Sequence, residues 1–99
     1  MGTHDRDTRQ VVQAPNVLLQ DLAGEAVLLN LENGLYYGLD EVGFRMFNLL
    51  VSSDSVQAAY EQLLQEYEVE PERLRSDLEQ LLGNLLQNGL VLNADRRLD

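Results

Sequence analysis

The stretch that most constrains the fold is residues 27–50, VLLNLENGLYYGLDEVGFRMFNLL, where strand periodicity changes to helix periodicity with almost no linker. Apolar residues alternate over positions 27–31, and Asn33-Gly34 supplies residues that tolerate positive φ in a two-residue hairpin turn. Residues 35–39 then return as a second strand. The pattern predicts a β-hairpin that leads directly into a helix.

The residue that ends this strand also begins the helix. Asp40 carries a carboxylate that suits the N-cap position, where it accepts hydrogen bonds from the free amides of the first turn. Apolar residues then follow at helical spacing, namely Val42, Met46, Phe47, Leu49 and Leu50. We therefore expect a sheet edge to feed straight into this helix.

A further strand precedes the hairpin. Residues 17–21 follow Pro15, and Ala23-Gly24 marks a turn, so three strands form an antiparallel meander. With a two-residue loop, Leu31 lies opposite Tyr36, and both faces of the meander carry more apolar side chain than a sheet with one solvated face requires. Either the chain's own helices and N-terminal segment cover both faces, or another molecule covers one of them.

Two more helices follow the first. Residues 52–54 interrupt the first helix, Asp54 or Ser55 can cap the second, and Pro71 fits the first turn of the third, where its missing amide donor is no loss. The third helix carries one apolar stripe, formed by Leu74, Leu78, Leu81, Leu82, Leu85 and Leu86. The predicted fold class is α+β, a three-stranded antiparallel meander followed by three α-helices.

Length and composition fit one domain, which we place at residues 16–93, between a flexible N-terminal tail at 1–15 and a C-terminal tail at 94–99. Seventeen acidic against seven basic residues give a formal charge of -10, which repels polyphosphates and argues against a nucleic-acid partner. The sequence shows no signal peptide and no apolar run long enough to span a bilayer, so we expect a cytoplasmic protein without membrane insertion.

Few residues are suited to catalysis. The chain has no cysteine, and its one histidine, His4, lies in the predicted tail. The carboxylate pair Asp40-Glu41 fits helix capping, and the acidic residues between positions 66 and 72 fit a solvated connection between helices. The seven glycines are dispersed at turns and helix ends, without a phosphate-binding loop. We therefore predict no catalytic residue, no metal site and no cofactor.

The block LNLENGLYYGLDEVGFRMFNLL resembles the consensus of the PqqD-like family, the recognition elements of ribosomally synthesised and post-translationally modified peptide pathways. The resemblance runs from about Val17 to Asn93, and its most specific piece lies between Asn33 and Gly43. It implies a winged helix-turn-helix-like domain that binds the leader segment of a precursor peptide. The stand-alone length and the YYGLD segment are most similar to the lasso-peptide branch, in which such a domain pairs with a separate leader peptidase.

The resemblance also implies a site. In this family the leader adds as a strand beside the third strand, in the groove between that strand and the third helix. The expected peptide-binding residues here are Leu35, Tyr36, Tyr37, Gly38, Leu39, Leu74, Asp77, Leu78, Leu81 and Asn84. Periodicity fixes the apolar stripe of the helix but not its docking angle, so the Asp77 flank is taken to face the strand and the Glu79 flank to face away. We also expect Tyr37→Pro to remove a strand donor that the leader uses.

The sequence thus predicts a non-catalytic domain that binds a leader and delivers it to a separate leader peptidase or modifying enzyme. Two alternatives stay open within peptide recognition: the partner chaperone of a radical SAM enzyme in quinone-cofactor synthesis, and a fragment of a larger modifying enzyme. From another class, the alternative is a winged-helix DNA-binding regulator, against which the acidic third helix argues.

Overall fold

The computed structural model describes residues 7–94. Its elements follow in the order β1 (Val11–Gln13), β2 (Val17–Leu22), β3 (Glu25–Asn30), β4 (Tyr36–Leu39), α1 (Glu41–Ser52), α2 (Val56–Glu66), α3 (Pro71–Gln87) and β5 (Val91–Asn93). Strands β2, β3 and β4 form one antiparallel sheet in that order, and the three helices follow it along the chain. The predicted α+β class, a three-stranded meander followed by three helices, is confirmed.

The helix starts agree with the sequence. The Asp40 carboxylate accepts from the Gly43 amide at 2.8 Å, and the Ser55 hydroxyl accepts from the Ala58 amide at 3.0 Å. Both bonds satisfy amides that have no partner within the helix. Pro71 occupies the first turn of α3, as expected. These local signals set the residue at which each of the three helices begins.

The segment before β2 differs from the predicted tail at residues 1–15. Val11–Gln13 pairs antiparallel with β5, and the side chains of Val11 and Ala14 are buried in the core. A three-residue strand has no period of its own, and its partner lies some 80 residues away in the sequence, so no local pattern indicates it. Residues 1–6 and 95–99 lie outside the described part of the chain, and the outer domain boundaries stay predictions.

The hairpin between β3 and β4 also differs from the expected two-residue loop. Leu29 lies opposite Tyr36 and Leu28 opposite Tyr37, a shift of two residues along β3 from the expected register. The loop is longer because the Gly34 amide donates to the Asn30 carbonyl at 2.7 Å and closes a turn before β4 begins. A shift of two residues preserves which side chains share a face, so the predicted faces are unchanged.

One face of the sheet packs on the helices. Leu28 and Leu39 are buried there, together with Phe47 and Leu50 of α1. Helix α1 packs against β3 and β4, while α3 packs against α2 and β5. The opposite face of the sheet carries exposed apolar side chains. Among residues 7–94 no helix is long and apolar enough to cross a bilayer.

Candidate functional site

Strand β4 is an edge of the sheet, and one hydrogen bond shows which of its backbone groups face β3. The Asn30 amide donates to the Leu35 carbonyl at 2.9 Å, so these two positions form a hydrogen-bonded pair. Hydrogen-bonded and non-hydrogen-bonded pairs alternate along an antiparallel ladder. Tyr37 and Leu39 therefore direct their amides and carbonyls to β3. Tyr36 and Gly38 direct theirs away from the sheet.

This alternation changes the expectation for Tyr37→Pro. The Tyr37 amide faces Leu28 of β3, so proline there would break the sheet's own ladder and would not remove a free donor. Gly38 is the position at which proline removes an outward donor. A Cβ built on Gly38 meets no atom within 4 Å, so side chains added there have room.

The other edge, β2, is partly closed by the chain itself. The Gln13 side-chain amide donates to the Val17 carbonyl at 2.9 Å, and the Val17 amide donates to the Ala14 carbonyl at 3.2 Å. Further along this edge stands the charged residue Asp21, and charges on an edge strand oppose the pairing of another strand. Of the two edges, β4 is the one that is open for a further strand.

The side chains of the β4 segment divide between the two faces. Tyr36 is 73% exposed on the face away from the helices, and Leu35 is exposed at the end of the loop. Tyr37 is half-buried against the core, and Leu39 is buried. The adjacent tyrosines therefore lie on opposite faces of the strand. Tyr37 contributes a ring at the edge of the core, next to the outward backbone groups.

The predicted residues of α3 also divide. Leu74 and Leu78 are buried, with Leu78 only 2% exposed, so both side chains contact the core and offer almost no surface to another molecule. Leu81 is half-buried at the margin of the stripe, and Asp77 and Asn84 are exposed beside it. Only Leu81, Asp77 and Asn84 are in a position to contact a ligand directly.

The opposite flank of α3 is occupied by the chain itself. The Arg75 guanidinium lies 4.1 Å from the centre of the Tyr60 ring of α2, a cation–π contact. Glu79 pairs with Arg9 at 2.9 Å, so the segment before β1 crosses this flank. Arg9 also pairs with Asp7, which lowers the pKa of the Asp7 carboxyl. The Asp77 flank is therefore the open side of α3.

One residue near the candidate site is not among the site residues predicted from the sequence. Asn30, at the end of β3, is 3% exposed, and its Nδ2 donates to the Asn88 carbonyl at the end of α3 at 3.1 Å. This bond brings the C-terminal end of α3 next to the start of β4. The signal in the sequence is a polar residue at a core-facing position of an apolar strand, in the run VLLNL.

The outward backbone groups of β4 are suited to binding an extended segment. The described part of the chain holds no group of three or more aspartate, glutamate, histidine or cysteine side chains placed to hold a metal ion. His4 lies outside that part. A concavity of about 480 Å³ lies between α1 and the end of α2, where the Arg45 guanidinium lowers the pKa of Glu66 to about 2. That ion pair is already complete between two side chains of this chain.

An open sheet edge on a small sheet packed against helices defines a small binding domain of the kind that takes up an extended chain. This chain belongs to the PqqD family, because the family model described as coenzyme PQQ synthesis protein D matches residues 25–91. The resemblance noted in the sequence is confirmed.

Two solved structures are similar over nearly the whole chain. The first is TbiB1 in complex with the TbiA(beta) leader peptide, with 28% sequence identity, a TM-score of 0.75, and coverage of 89% of this chain and 99% of that one. The second is lasso peptide synthetase B1 complexed with the leader peptide, with 25% identity, a TM-score of 0.75, and coverage of 84% and 98%. No curated protein sequence matches this chain significantly.

Proposed function

We propose that this domain binds the leader segment of a ribosomally synthesised precursor peptide as an added strand on β4, and delivers it to a separate leader peptidase or modifying enzyme. The observation that carries the proposal is the outward pair of backbone positions, Tyr36 and Gly38, on the open edge of the sheet. Lasso-peptide biosynthesis is the favoured setting, since both similar structures are complexes with leader peptides and one is a lasso peptide synthetase component.

The free energy of backbone pairing alone is too small for a micromolar complex, so side chains must contribute to leader binding. Two outward residues offer two donors and two acceptors, and a net hydrogen bond stabilises by about 0.5–1.5 kcal/mol, so the edge supplies about 2–6 kcal/mol. A micromolar complex requires about 8 kcal/mol. The difference must come from leader side chains that bury apolar surface in the groove between β4 and α3. Backbone pairing therefore sets the location of the leader, and the groove sets its selectivity.

The open flank of α3 is where we place these side-chain contacts. Leu81 presents the apolar surface of this flank, and Asp77 and Asn84 present its polar groups. Asp77 is 3.6 Å from Arg73 in an exposed pair, so a basic leader residue can compete for it at small cost. Such an exposed pair contributes about 0–1 kcal/mol. Leu74 and Leu78 act only through the core that they pack.

The contribution of this domain to catalysis is tethering. Holding the leader places the rest of the precursor at an effective concentration on the order of millimolar for a short linker. The chemistry then belongs to the partner enzyme. Incubated alone with its precursor, the chain should produce no change in precursor mass, and a mass shift would contradict the non-catalytic assignment.

We place the partner enzyme on the outer face of the sheet. Leu18, Leu29 and Tyr36 lie in one cross-strand row there, and Leu18 is 56% exposed. A contiguous exposed apolar surface is typical of a protein interface. Because the row ends on β4, an enzyme seated on it lies directly beside the bound leader. The face is continuous with the edge that we assign to the peptide.

The test uses a synthetic, fluorescein-labelled leader peptide, taken from a precursor reading frame found beside this chain's gene or, where none is found there, from the leaders of the similar complexes. Fluorescence anisotropy should show saturable binding of the leader and none of a scrambled peptide of equal composition. The absence of binding would refute the proposal. A second candidate partner is the radical enzyme of quinone-cofactor synthesis, favoured by the description of the matching family model. Neighbouring genes for a peptidase and a cyclase, or for a radical enzyme, distinguish the two.

A further inference from the structure

A buried polar side chain links the C-terminal end of α3 to the sheet. Asn30 is 3% exposed, and its Nδ2 donates to the Asn88 carbonyl at 3.1 Å. The next residue, Gly89, has a φ of +69°, and a Cβ built on it would lie 3.3 Å from the same Nδ2. The absence of a side chain at Gly89 therefore allows the C-terminus of α3 to pack directly against the Asn30 side-chain amide.

Asn30 also organises the loop that begins β4. Its backbone amide donates to the Leu35 carbonyl at 2.9 Å, and its carbonyl accepts from the Gly34 amide at 2.7 Å. Its side-chain Oδ1 accepts from the Glu32 amide at 2.9 Å. Each polar atom of this residue has a partner, one of them in the residue that caps the C-terminus of α3 and the others in the loop before β4.

We infer that Asn30 is a positioning residue that fixes the gap between β4 and α3, and that it thereby sets the affinity of the leader without touching it. The inference rests on the proposed function. A strand added to β4 lies about 4.7–4.9 Å from it, and its side chains reach α3 only if the helix is held at a matching distance. A loosened helix end weakens those contacts while leaving the outward backbone groups of β4 in place.

The substitution Asn30→Asp isolates this bond. It preserves the shape of the side chain and the acceptor for the Glu32 amide, but an ionised carboxylate cannot donate to the Asn88 carbonyl. Burial and the facing Asn88 carbonyl raise the pKa of the introduced carboxyl against the opposing effect of the Glu32 amide, and its protonated form can donate again. The Kd of the leader, relative to wild type at the same pH, should rise about tenfold at about pH 8 and return to within about threefold at about pH 5.

A matched control lies at the other end of the same helix. The Tyr60 hydroxyl donates to the Pro71 carbonyl at 3.1 Å, so Tyr60→Phe also removes one side-chain bond to the α3 backbone. This variant should lower the melting temperature while leaving the Kd within about twofold of wild type. Gly89→Ala presses a methyl group against the Asn30 Nδ2 from the helix side, and should weaken binding at both pH values.

The outcomes separate the inference from the proposed function. If the wild type binds the leader and Asn30→Asp lowers only the melting temperature, as Tyr60→Phe does, the positioning role is refuted and the proposed function stands. If the wild type does not bind the leader, both are refuted. Loss of affinity at high pH that is recovered at low pH, in folded protein, supports the inference, and Gly89→Ala provides the same test should Asn30→Asp fold only at low pH.

Discussion

Replacing Gly38 with proline tests whether the leader pairs with β4, because the change removes one backbone amide hydrogen. The Gly38 amide points away from β3, so proline removes a donor that the sheet does not use. The residue before it already has the extended backbone that proline requires of its predecessor. A leader carbonyl left without this donor costs about 1–3 kcal/mol, which corresponds to about a 5- to 150-fold rise in Kd.

The control for this variant is Gly38→Ala. It retains the amide, and the added methyl group enters space with no atom within 4 Å. Its leader affinity should stay within about twofold of wild type, and both variants should have melting temperatures close to wild type. Fluorescence anisotropy with the labelled leader measures the affinity, and circular dichroism measures the melting. The reasoning is refuted if Gly38→Pro binds like wild type, or if Gly38→Ala is weakened as much as Gly38→Pro.

Four further variants test other parts of the molecule. Asp77→Ala should weaken leader binding up to about fivefold at low salt with an unchanged melting temperature. Glu79→Ala removes the partner of Arg9, so it should lower the melting temperature and leave the leader affinity unchanged. The reverse pattern would place the leader on the other flank of α3. Leu18→Glu should preserve leader affinity and abolish stimulation of the partner enzyme in a cleavage assay; retained stimulation would remove the outer face as the docking surface. Because the pKa of Glu66 is lowered to about 2, its ion pair with Arg45 should stabilise the fold fully above about pH 4.5 and lose that effect as the pH falls towards 2. Arg45→Gln should therefore lower the stability against urea more at pH 6 than at pH 3. An equal loss of stability at both pH values would contradict this.

The parts of the fold that sequence predicts are those with local causes. The Asp40 cap, the start of α3 at Pro71 and the separation of the adjacent tyrosines follow from side chains within a few residues of one another. Strand periodicity gives the correct faces even where the register is displaced, because the displacement is an even number of residues. The family resemblance adds the edge and helix that form the candidate site.

The remaining features depend on distant parts of the chain. β1 has a partner only at β5, and the loop before β4 is lengthened by bonds that Asn30 makes. The width of the apolar stripe on α3 does not show that Leu78 is fully buried while Leu81 is half-buried, since that depends on how the helix docks. The direction of each β4 amide likewise depends on register, which periodicity leaves open in steps of two residues.

Amide hydrogen exchange of β4, followed residue by residue with and without the leader, tests the central claim most directly. In the free protein the amides of Tyr37 and Leu39 should be protected by β3, while those of Tyr36 and Gly38 exchange rapidly. Addition of saturating leader should protect Tyr36 and Gly38. Protection that appears instead along β2, or no change at Tyr36 and Gly38 with the leader bound, would contradict strand addition at this edge.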